Sequence, residues 1–140
     1  MRKLGIDYGD ARVGIAITDA LNITVQGLET IHHKGNDKIV LKRLEELLKQ
    51  YEIDTFVIGM PINMNGTKTE RVEVTEKFIH KCRCRFPKIK IETIDERLTT
   101  VAAHKTMNFL NVNKNKKRNI VDTISAIYIL ETYMKKCENS

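Results

Sequence analysis

Residues 2–18 read RKLGIDYGDARVGIAIT, which is two short apolar runs separated by a tight turn. The first run spans 3–7 and closes at 8–10, where a glycine and an aspartate are typical turn residues. The second run, 12–18, is rich in Val, Ile and Ala, and a third run of strand-like composition follows at 23–31. Short runs joined by tight turns predict three strands of an antiparallel meander.

Beyond residue 36 apolar residues recur at helical spacing, and helical and strand-like segments then alternate. A meander followed by α-β-α-β units predicts an α/β fold, with a five-stranded mixed sheet and helices on both faces. The polar and basic segment 111–119 is the best candidate for a mobile loop, and the last helix is apolar nearly all round, so it should be well buried. The predicted helices are 40–51, 72–82, 99–110 and 120–134, the remaining predicted strands are 54–59 and 88–94, and a loop is predicted at 60–68.

The chain has 140 residues, which suits one domain spanning 1–140 and leaves no room for two domains around a cleft. Hydrophobic residues are 41% and charged residues 30%, as expected of a globular chain, and the net charge of +6 favours a polyanionic partner.

No apolar run approaches the roughly 18 residues of a membrane span, and the early Asp7 argues against a signal peptide, so we expect a cytoplasmic protein. Three cysteines fit reduced thiols, and the four histidines form no ligand pair on a helical face.

Carboxylates lie where apolar segments begin or end: Asp7 ends the first strand, Asp95 and Glu96 end the fifth, and Asp122 lies in the predicted first turn of the last helix. Two carboxylates about 4 Å apart repel by roughly 4 kcal/mol at an effective dielectric of about 20, and a divalent cation turns that repulsion into attraction. Converging carboxylates with only oxygen ligands suit Mg²⁺ or Mn²⁺. Each acid also has a structural interpretation, as a cap of the following turn or helix or, for Asp122, as a complement to a helix N-terminus. Taken singly, the structural interpretation is favoured for each.

Four blocks of sequence surround these acids: GIDYG at 5–9 with RVGIA at 12–16, VIGMP at 57–61 with NG at 65–66, DERLTT at 95–100, and VD at 121–122 with further matches as far as 131. In this order and spacing they resemble the YqgF family of the RNase H superfamily, described as Holliday-junction resolvase-like proteins or pre-16S rRNA nucleases. The last block departs from the family's pattern at Thr123, Ile124 and Tyr128, where small or plain apolar residues are usual. These departures are interpreted as packing changes that leave Asp122 in place.

The resemblance implies an RNase H-like sheet in the order 3-2-1-4-5, with the first strand at its centre. It implies that Asp7, Glu96 and Asp122 are catalytic acids that bind Mg²⁺ or Mn²⁺. Asp95 is an adjacent catalytic candidate that replaces or assists Glu96, and strand parity does not decide between the two. Glycines at 5, 9 and 14 would let the backbone approach the ions and the phosphate closely.

The implied activity is metal-dependent hydrolysis of a phosphodiester in structured nucleic acid. Maturation of the 5′ end of pre-16S rRNA is favoured, and resolution of branched DNA at a Holliday junction is the alternative. A non-catalytic nucleic-acid-binding module is a further alternative, which predicts eroded acids, whereas the acids are present here. The protein is expected to be a monomer or a homodimer.

Basic residues near the acids are the candidate nucleic-acid contacts: Arg12, Arg97, Lys114, Lys116, Lys117 and Arg118. Phosphate contacts of this kind are independent of sequence and sensitive to salt. A second basic stretch at 81–90 is interpreted as a solvated surface, and for 114–118 solvation and phosphate binding are equally favoured. An actin- or hexokinase-like ATPase needs two domains, and a Rossmann domain needs a G-x-G-x-x-G motif after its first strand, so both are disfavoured.

Overall fold

The computed structural model describes residues 1–61, 70–95 and 114–138. The predicted strands are confirmed with small shifts of their boundaries, as are the first two predicted helices and the presence of the last. The predicted helix at 99–110 and nearly all of the predicted loop at 60–68 lie outside the described residues. The strands are β1 (Arg2–Tyr8), β2 (Arg12–Thr18), β3 (Val25–His32), β4 (Ile53–Met60) and β5 (Lys90–Asp95), and the helices are α1 (Asp37–Gln50), α2 (Glu70–Arg85) and α3 (Lys114–Glu138).

The strands form one mixed sheet in the order β3-β2-β1-β4-β5, which is the order that the resemblance implies. β2 pairs antiparallel with both β1 and β3, which confirms the predicted meander. On the other side of the central strand, β4 pairs parallel with β1, and β5 pairs parallel with β4. The carboxyl ends of β1, β4 and β5 therefore lie at one edge of the sheet, at Tyr8, Met60 and Asp95, which we call the carboxyl edge.

Helices cover both faces of the sheet. One face packs against α1 and α2 around Leu4, Ile6 and Phe56. The other packs against α3 around Ala16 and Val57. Because successive residues of a strand point to opposite faces, the even-numbered residues of β1 lie on the α1/α2 face and the odd-numbered residues lie on the α3 face.

Close approach of α3 to β1 requires a glycine at position 5. An ideal Cβ on Gly5 would lie 2.7 Å from the Ala126 carbonyl oxygen and 3.0 Å from the Leu130 Cβ. The expectation that Gly5 makes room for an ion or a phosphate is therefore wrong, because the space is occupied by the helix. The same contact fixes how α3 lies across the central strand.

The last helix starts earlier than its sequence pattern indicates. Residues 114–119 are the first turns of α3, so the prediction of a loop over that part of 111–119 is wrong, and 111–113 lie outside the described residues. Lys and Arg are good helix formers whose charged groups can remain in water, so a segment without an apolar stripe can still be helical. α3 is also less buried than predicted. Its buried residues form one stripe, which contains Ala126 and Ile129, whereas Glu131 is exposed. Over the described ranges, the structure has no helix with both the length and the apolar character needed to cross a bilayer.

Candidate active site

Asp7 lies at the carboxyl edge, one residue before the end of the central strand. Its Cα pairs with that of Gly14 in β2, and Gly14 pairs with Thr30 in β3, so the three positions form a row across the sheet. The alternation along β1 assigns the half-buried Asp7 to the α3 face, together with Gly5. Because β1 is paired on both sides, the sheet holds the backbone that carries this acid in a fixed position.

Asp122 lies within α3, just before the part of that helix that packs on the sheet. It precedes the buried residues Ser125 and Ala126 by three and four positions, which is the spacing of neighbours on one helix face. The hydroxyl oxygens of Thr123 and Thr30 are 3.4 Å apart, and Thr30 lies in the same row as Asp7. The structure therefore brings the Asp122 segment of α3 and Asp7 to the same face and the same edge of the sheet.

The interpretation of Asp122 as a complement to a helix N-terminus is wrong. α3 begins at Lys114, and its first turn contains no acidic residue. The favourable effect of the helix dipole on a carboxylate is confined to the first turn. Because Asp122 lies well beyond that turn, the helix dipole does not account for its presence.

Asp95 and Glu96 are separated by the alternation of β5. Ile91 packs with the α1/α2 core and Ile94 with the α3 core. Odd-numbered residues of β5 therefore lie on the α1/α2 face, which puts Asp95 on the face opposite to Asp7. Glu96 lies outside the described residues.

The chemistry of the donors fits a hard divalent ion. Asp7 offers carboxylate oxygens at the carboxyl edge, and carboxylate oxygens are ligands that Mg²⁺ and Mn²⁺ prefer, whereas softer metals select thiolates. Within the described ranges, no three His, Cys, Asp or Glu side chains form a cluster that could hold a metal. The predicted metal set extends beyond those ranges, since it includes Glu96 and the side chain of Asp122, neither of which is described.

The turn that follows Asp7, Gly9–Ala11, is held by the loop between β3 and α1. The Gly9 N–H donates to the Arg12 carbonyl oxygen at 2.9 Å, and the N–H groups of His33 and Lys34 both donate to the Ala11 carbonyl oxygen, at 2.9 and 3.3 Å. The His33 imidazole lies 2.8 Å from the Gly9 carbonyl oxygen. Sequence reasoning missed His33, because it considered histidines only as paired metal ligands.

Tyr8 anchors the end of β1 on the α1/α2 face. Its hydroxyl donates to the Asp37 carboxylate, and its ring stacks on Phe78 with centroids 4.3 Å apart. Lys81 Nζ lies 2.9 Å from the other oxygen of Asp37. Burial and the hydrogen bond to Asp37 raise the pKa of the Tyr8 phenol, so the group remains a donor at all physiological pH values.

Basic side chains of the 81–90 stretch form ion pairs with acids of the same chain. These pairs are Lys81–Asp37, Arg85–Glu45 and Lys90–Glu92. This local pairing agrees with the interpretation of the stretch as a solvated surface.

The predicted nucleic-acid contacts are only partly within the described residues. Arg12 is half-buried at the start of β2, directly after the Gly9–Ala11 turn. Arg97 and the side chains of 114–118 lie outside what the structure describes.

A family model described as "RuvX: Holliday junction resolvase" matches residues 1–136. The chain belongs to the RuvX family. Its relatives include a protein of Ruminiclostridium cellulolyticum, 51% identical over 136 residues that make up 97% of this chain and 95% of the relative. A protein of Acetivibrio thermocellus is 48% identical over 134 residues, 96% of this chain and 95% of the relative. Both are named "Putative pre-16S rRNA nuclease".

Two solved structures have the same fold as this RuvX-family chain. The RuvC protein of Thermus thermophilus in complex with a Holliday junction substrate has a TM-score of 0.61 at 10% identity, over 98% of this chain and 96% of its own. The fowlpox virus Holliday junction resolvase has a TM-score of 0.58 at 12% identity, over 98% of this chain and 99% of its own. The comparisons confirm the predicted family, the RNase H-like fold and the nuclease class.

Proposed function

We propose that this RuvX-family chain is a single-domain nuclease, dependent on Mg²⁺ or Mn²⁺, that processes the 5′ end of pre-16S rRNA in the cytoplasm. The observation that carries the proposal is the position of Asp7 and of the Asp122 segment of α3 on one face and one edge of the sheet. The names of the relatives supply the substrate.

Asp7, Glu96 and Asp122 would hold the divalent ion. When bound, such an ion lowers the pKa of a water molecule and neutralises charge on the phosphate and the leaving oxygen. The central strand orients Asp7. The packing of α3 against Gly5 fixes the position along β1 at which α3, and with it the segment of Asp122, crosses the sheet.

Substrate binding in this proposal falls to basic groups near the acids. Arg12 lies directly after the turn at the carboxyl edge, and Lys114, Lys116, Lys117 and Arg118 occupy the first turns of α3. These groups would hold phosphates on either side of the scissile bond without reading sequence. The protein would work as a monomer on RNA.

Resolution of a four-way DNA junction is the second candidate. It is favoured by the description of the family model and by the RuvC fold neighbour, whose structure contains a Holliday junction. Symmetric cleavage of a junction calls for a homodimer with two sites related by a two-fold axis. The two candidates therefore differ in substrate and in oligomeric state.

The decisive test is cleavage by the Asp7→Asn and Asp122→Asn variants. The substrates are a pre-16S rRNA fragment with its 5′ extension and a four-way DNA junction, each with Mg²⁺ or Mn²⁺. Loss of a group that stabilises charge in the transition state should lower kcat by about 10²- to 10³-fold. Asp19→Asn is the matched control, since it removes a carboxylate at the opposite edge of the same sheet and should leave cleavage unchanged. Wild-type rates in both site variants would exclude the carboxylate mechanism.

A second pair of variants tests the assignment within the Asp95–Glu96 dipeptide. Because Asp95 lies on the face opposite to Asp7, we expect Glu96→Gln to lower kcat and Asp95→Asn to have the smaller effect. The reverse ranking would make Asp95 the ligand and contradict the alternation argument.

Salt dependence tests the binding surface. Each phosphate contact that is lost should reduce the slope of log affinity against log salt by about 0.7 to 0.9. We expect this reduction for a variant with Lys116→Gln and Lys117→Gln and not for Lys81→Gln, whose ammonium group pairs with Asp37. Equal slopes for all three proteins would remove the start of α3 from the binding surface.

A further inference from the structure

His33 is a buried imidazole with both ring nitrogens bonded to backbone groups. The residue is 1% exposed, and its ring stacks on that of Tyr8 with centroids 5.6 Å apart. The Gly35 N–H donates to Nδ1 at 3.1 Å, so Nδ1 carries no proton. The ring proton is therefore on Nε2, which donates to the Gly9 carbonyl oxygen at 2.8 Å. One side chain thus joins the β3–α1 loop to the β1–β2 turn.

The loop that carries His33 has a defined backbone conformation and its own hydrogen bonds. Lys34 and Gly35 both have positive φ, 49° and 84°, and lysine rarely adopts this conformation. The Asn36 N–H donates to the His33 carbonyl oxygen at 2.9 Å, and the Asn36 side chain caps α1 by accepting from the Lys38 N–H. The Gly9–Ala11 turn is therefore connected through His33 and Asn36 to α1, a helix of the core.

The hydrogen bonds from the β3–α1 loop are not needed to close the hairpin of β1 and β2. β1 and β2 are already paired up to Tyr8 and Val13, and the Gly9–Arg12 hydrogen bond already closes the turn. The additional bonds from the β3–α1 loop act on the carbonyl oxygens of Gly9 and Ala11, which lie two and four residues after Asp7. Their effect is to fix the turn at the edge where Asp7 lies.

We propose that His33 is a positioning residue for the nuclease site, acting through its hydrogen bond to the Gly9 carbonyl oxygen. This inference rests on the proposed function. The imidazole does not touch the substrate in this scheme. It holds the Gly9–Ala11 turn so that Asp7, two residues before the turn, and Arg12, directly after it, keep a constant separation. Displacement of such groups by about 1 Å can lower a rate about 10²-fold.

Two variants separate the hydrogen bond to Gly9 from the local role of the side chain. His33→Gln has an amide NH₂ long enough to reach the Gly9 carbonyl oxygen. His33→Asn has a carbonyl that can accept from the Gly35 N–H, as in an Asx turn, but is too short to reach Gly9. Ile53→Val, a buried residue at the opposite edge, serves as the control for loss of stability alone. Thermal unfolding of all variants establishes that they are folded at the assay temperature.

The first measurement is hydrogen exchange of the metal-free proteins by NMR. In His33→Asn the amides of Gly9, His33 and Lys34 should exchange about 10- to 100-fold faster than in the wild type, whereas amides of the central strand should not change. His33→Gln and Ile53→Val should keep the slow exchange of the wild type at these three amides.

The second measurement is steady-state cleavage of the pre-16S rRNA fragment with Mg²⁺. We expect His33→Asn to lower kcat by about 10²-fold with little change in KM, because phosphate contacts dominate binding and positioning affects the transition state. His33→Gln should restore most of kcat. Equal kcat values for His33→Asn and Ile53→Val, or unchanged exchange of the turn amides in His33→Asn, would overturn the inference. If the wild type cleaves neither RNA nor the junction, the proposed function fails, while the exchange rates still show whether His33 fixes the turn.

Discussion

The meander has one turn at the carboxyl edge, Gly9–Ala11, and one at the opposite edge, residues 19–24, and the two are held differently. The first is bonded by His33, a residue 24 positions away from Gly9 in the chain. The second is closed chiefly by its own residues, since the Asp19 carboxylate accepts from the Ile23 N–H at 2.8 Å and Asn22 has a positive φ of 56°. It also has an exposed hydrogen bond to the start of β1, from the Asn22 amide to the Met1 carbonyl oxygen at 2.9 Å.

The two turns also differ in what surrounds them. The first packs under buried rings, with Tyr8 stacked between His33 and Phe78. The second exposes Leu21 and Ile23, each about three-quarters accessible, and has no comparable packing over it among the described residues. A turn that depends on a distant loop is costly to specify, and such precision is expected where chemistry takes place. The comparison therefore marks the carboxyl edge as the functional one.

Gly9→Ala, in the turn at the carboxyl edge, should have the largest effect on cleavage of the variants that compare the two turns. A Cβ at this position would lie 2.7 Å from the Arg12 carbonyl oxygen, so the backbone beside Asp7 must shift. We expect kcat on the RNA substrate to fall by about 10²-fold or more. Asn22→Ala, which strains the second turn, should lower the melting temperature but retain wild-type kcat. Equal losses of kcat in the two variants would show that the turns do not differ in function.

Tyr8→Phe tests how much the interactions beside the first turn contribute to the free energy of unfolding. Removing the hydroxyl deprives the half-buried Asp37 carboxylate of a donor and should lower the free energy of unfolding by about 1–2 kcal/mol at pH 7. Tyr51→Phe, at the opposite edge, is the control.

The pH dependence of the same variant has a definite sign. The pKa of Tyr8 is raised in the folded state by burial and by Asp37, so the folded protein retains this proton at pH values where the unfolded chain loses it. Stability from this group is thus fully present below about pH 10 and declines as pH rises above it. Denaturant unfolding between pH 8 and pH 11 should show a steeper decline for the wild type than for Tyr8→Phe. Parallel curves would mean that Tyr8 is not the titrating group.

Sequence reasoning succeeded where local pattern and global fold agree. Val, Ile and Ala between two turns define β2 to the residue, and the carboxylate at the end of the first run correctly locates Asp7 at the end of a strand. It failed at the start of α3, because residues 114–119 contain good helix formers but no apolar stripe. The strand order was available only through the resemblance to a family, since no local pattern specifies which strands are neighbours.

The parts of the site that sequence could not predict depend on contacts between distant residues. Ile91 and Ile94 are both apolar, yet they pack on opposite faces of the sheet, and only this difference assigns a face to Asp95. His33 shows no distinguishing local pattern, because its importance comes from a carbonyl oxygen on another turn. Gly5 indicates close approach in the sequence, but the approaching group proved to be the backbone of α3.

Asp19→Asn has the smallest expected effect and tests the claim that the second turn is closed chiefly by its own residues. The hydrogen bond from the Ile23 N–H, helped by that from Thr24, lowers the pKa of Asp19 in the folded state. A carboxylate with a lowered folded pKa stabilises the protein above its unfolded pKa of about 4, and this contribution is lost as pH falls through the folded pKa. The melting temperature of Asp19→Asn should therefore be slightly below that of the wild type at pH 7, and the two should converge at pH values well below 4. Because the turn lies far from Asp7, cleavage should be unchanged. A difference in melting temperature that persisted undiminished in acid would mean that the charge of Asp19 is irrelevant, and that the backbone conformation at Asn22 closes the turn instead.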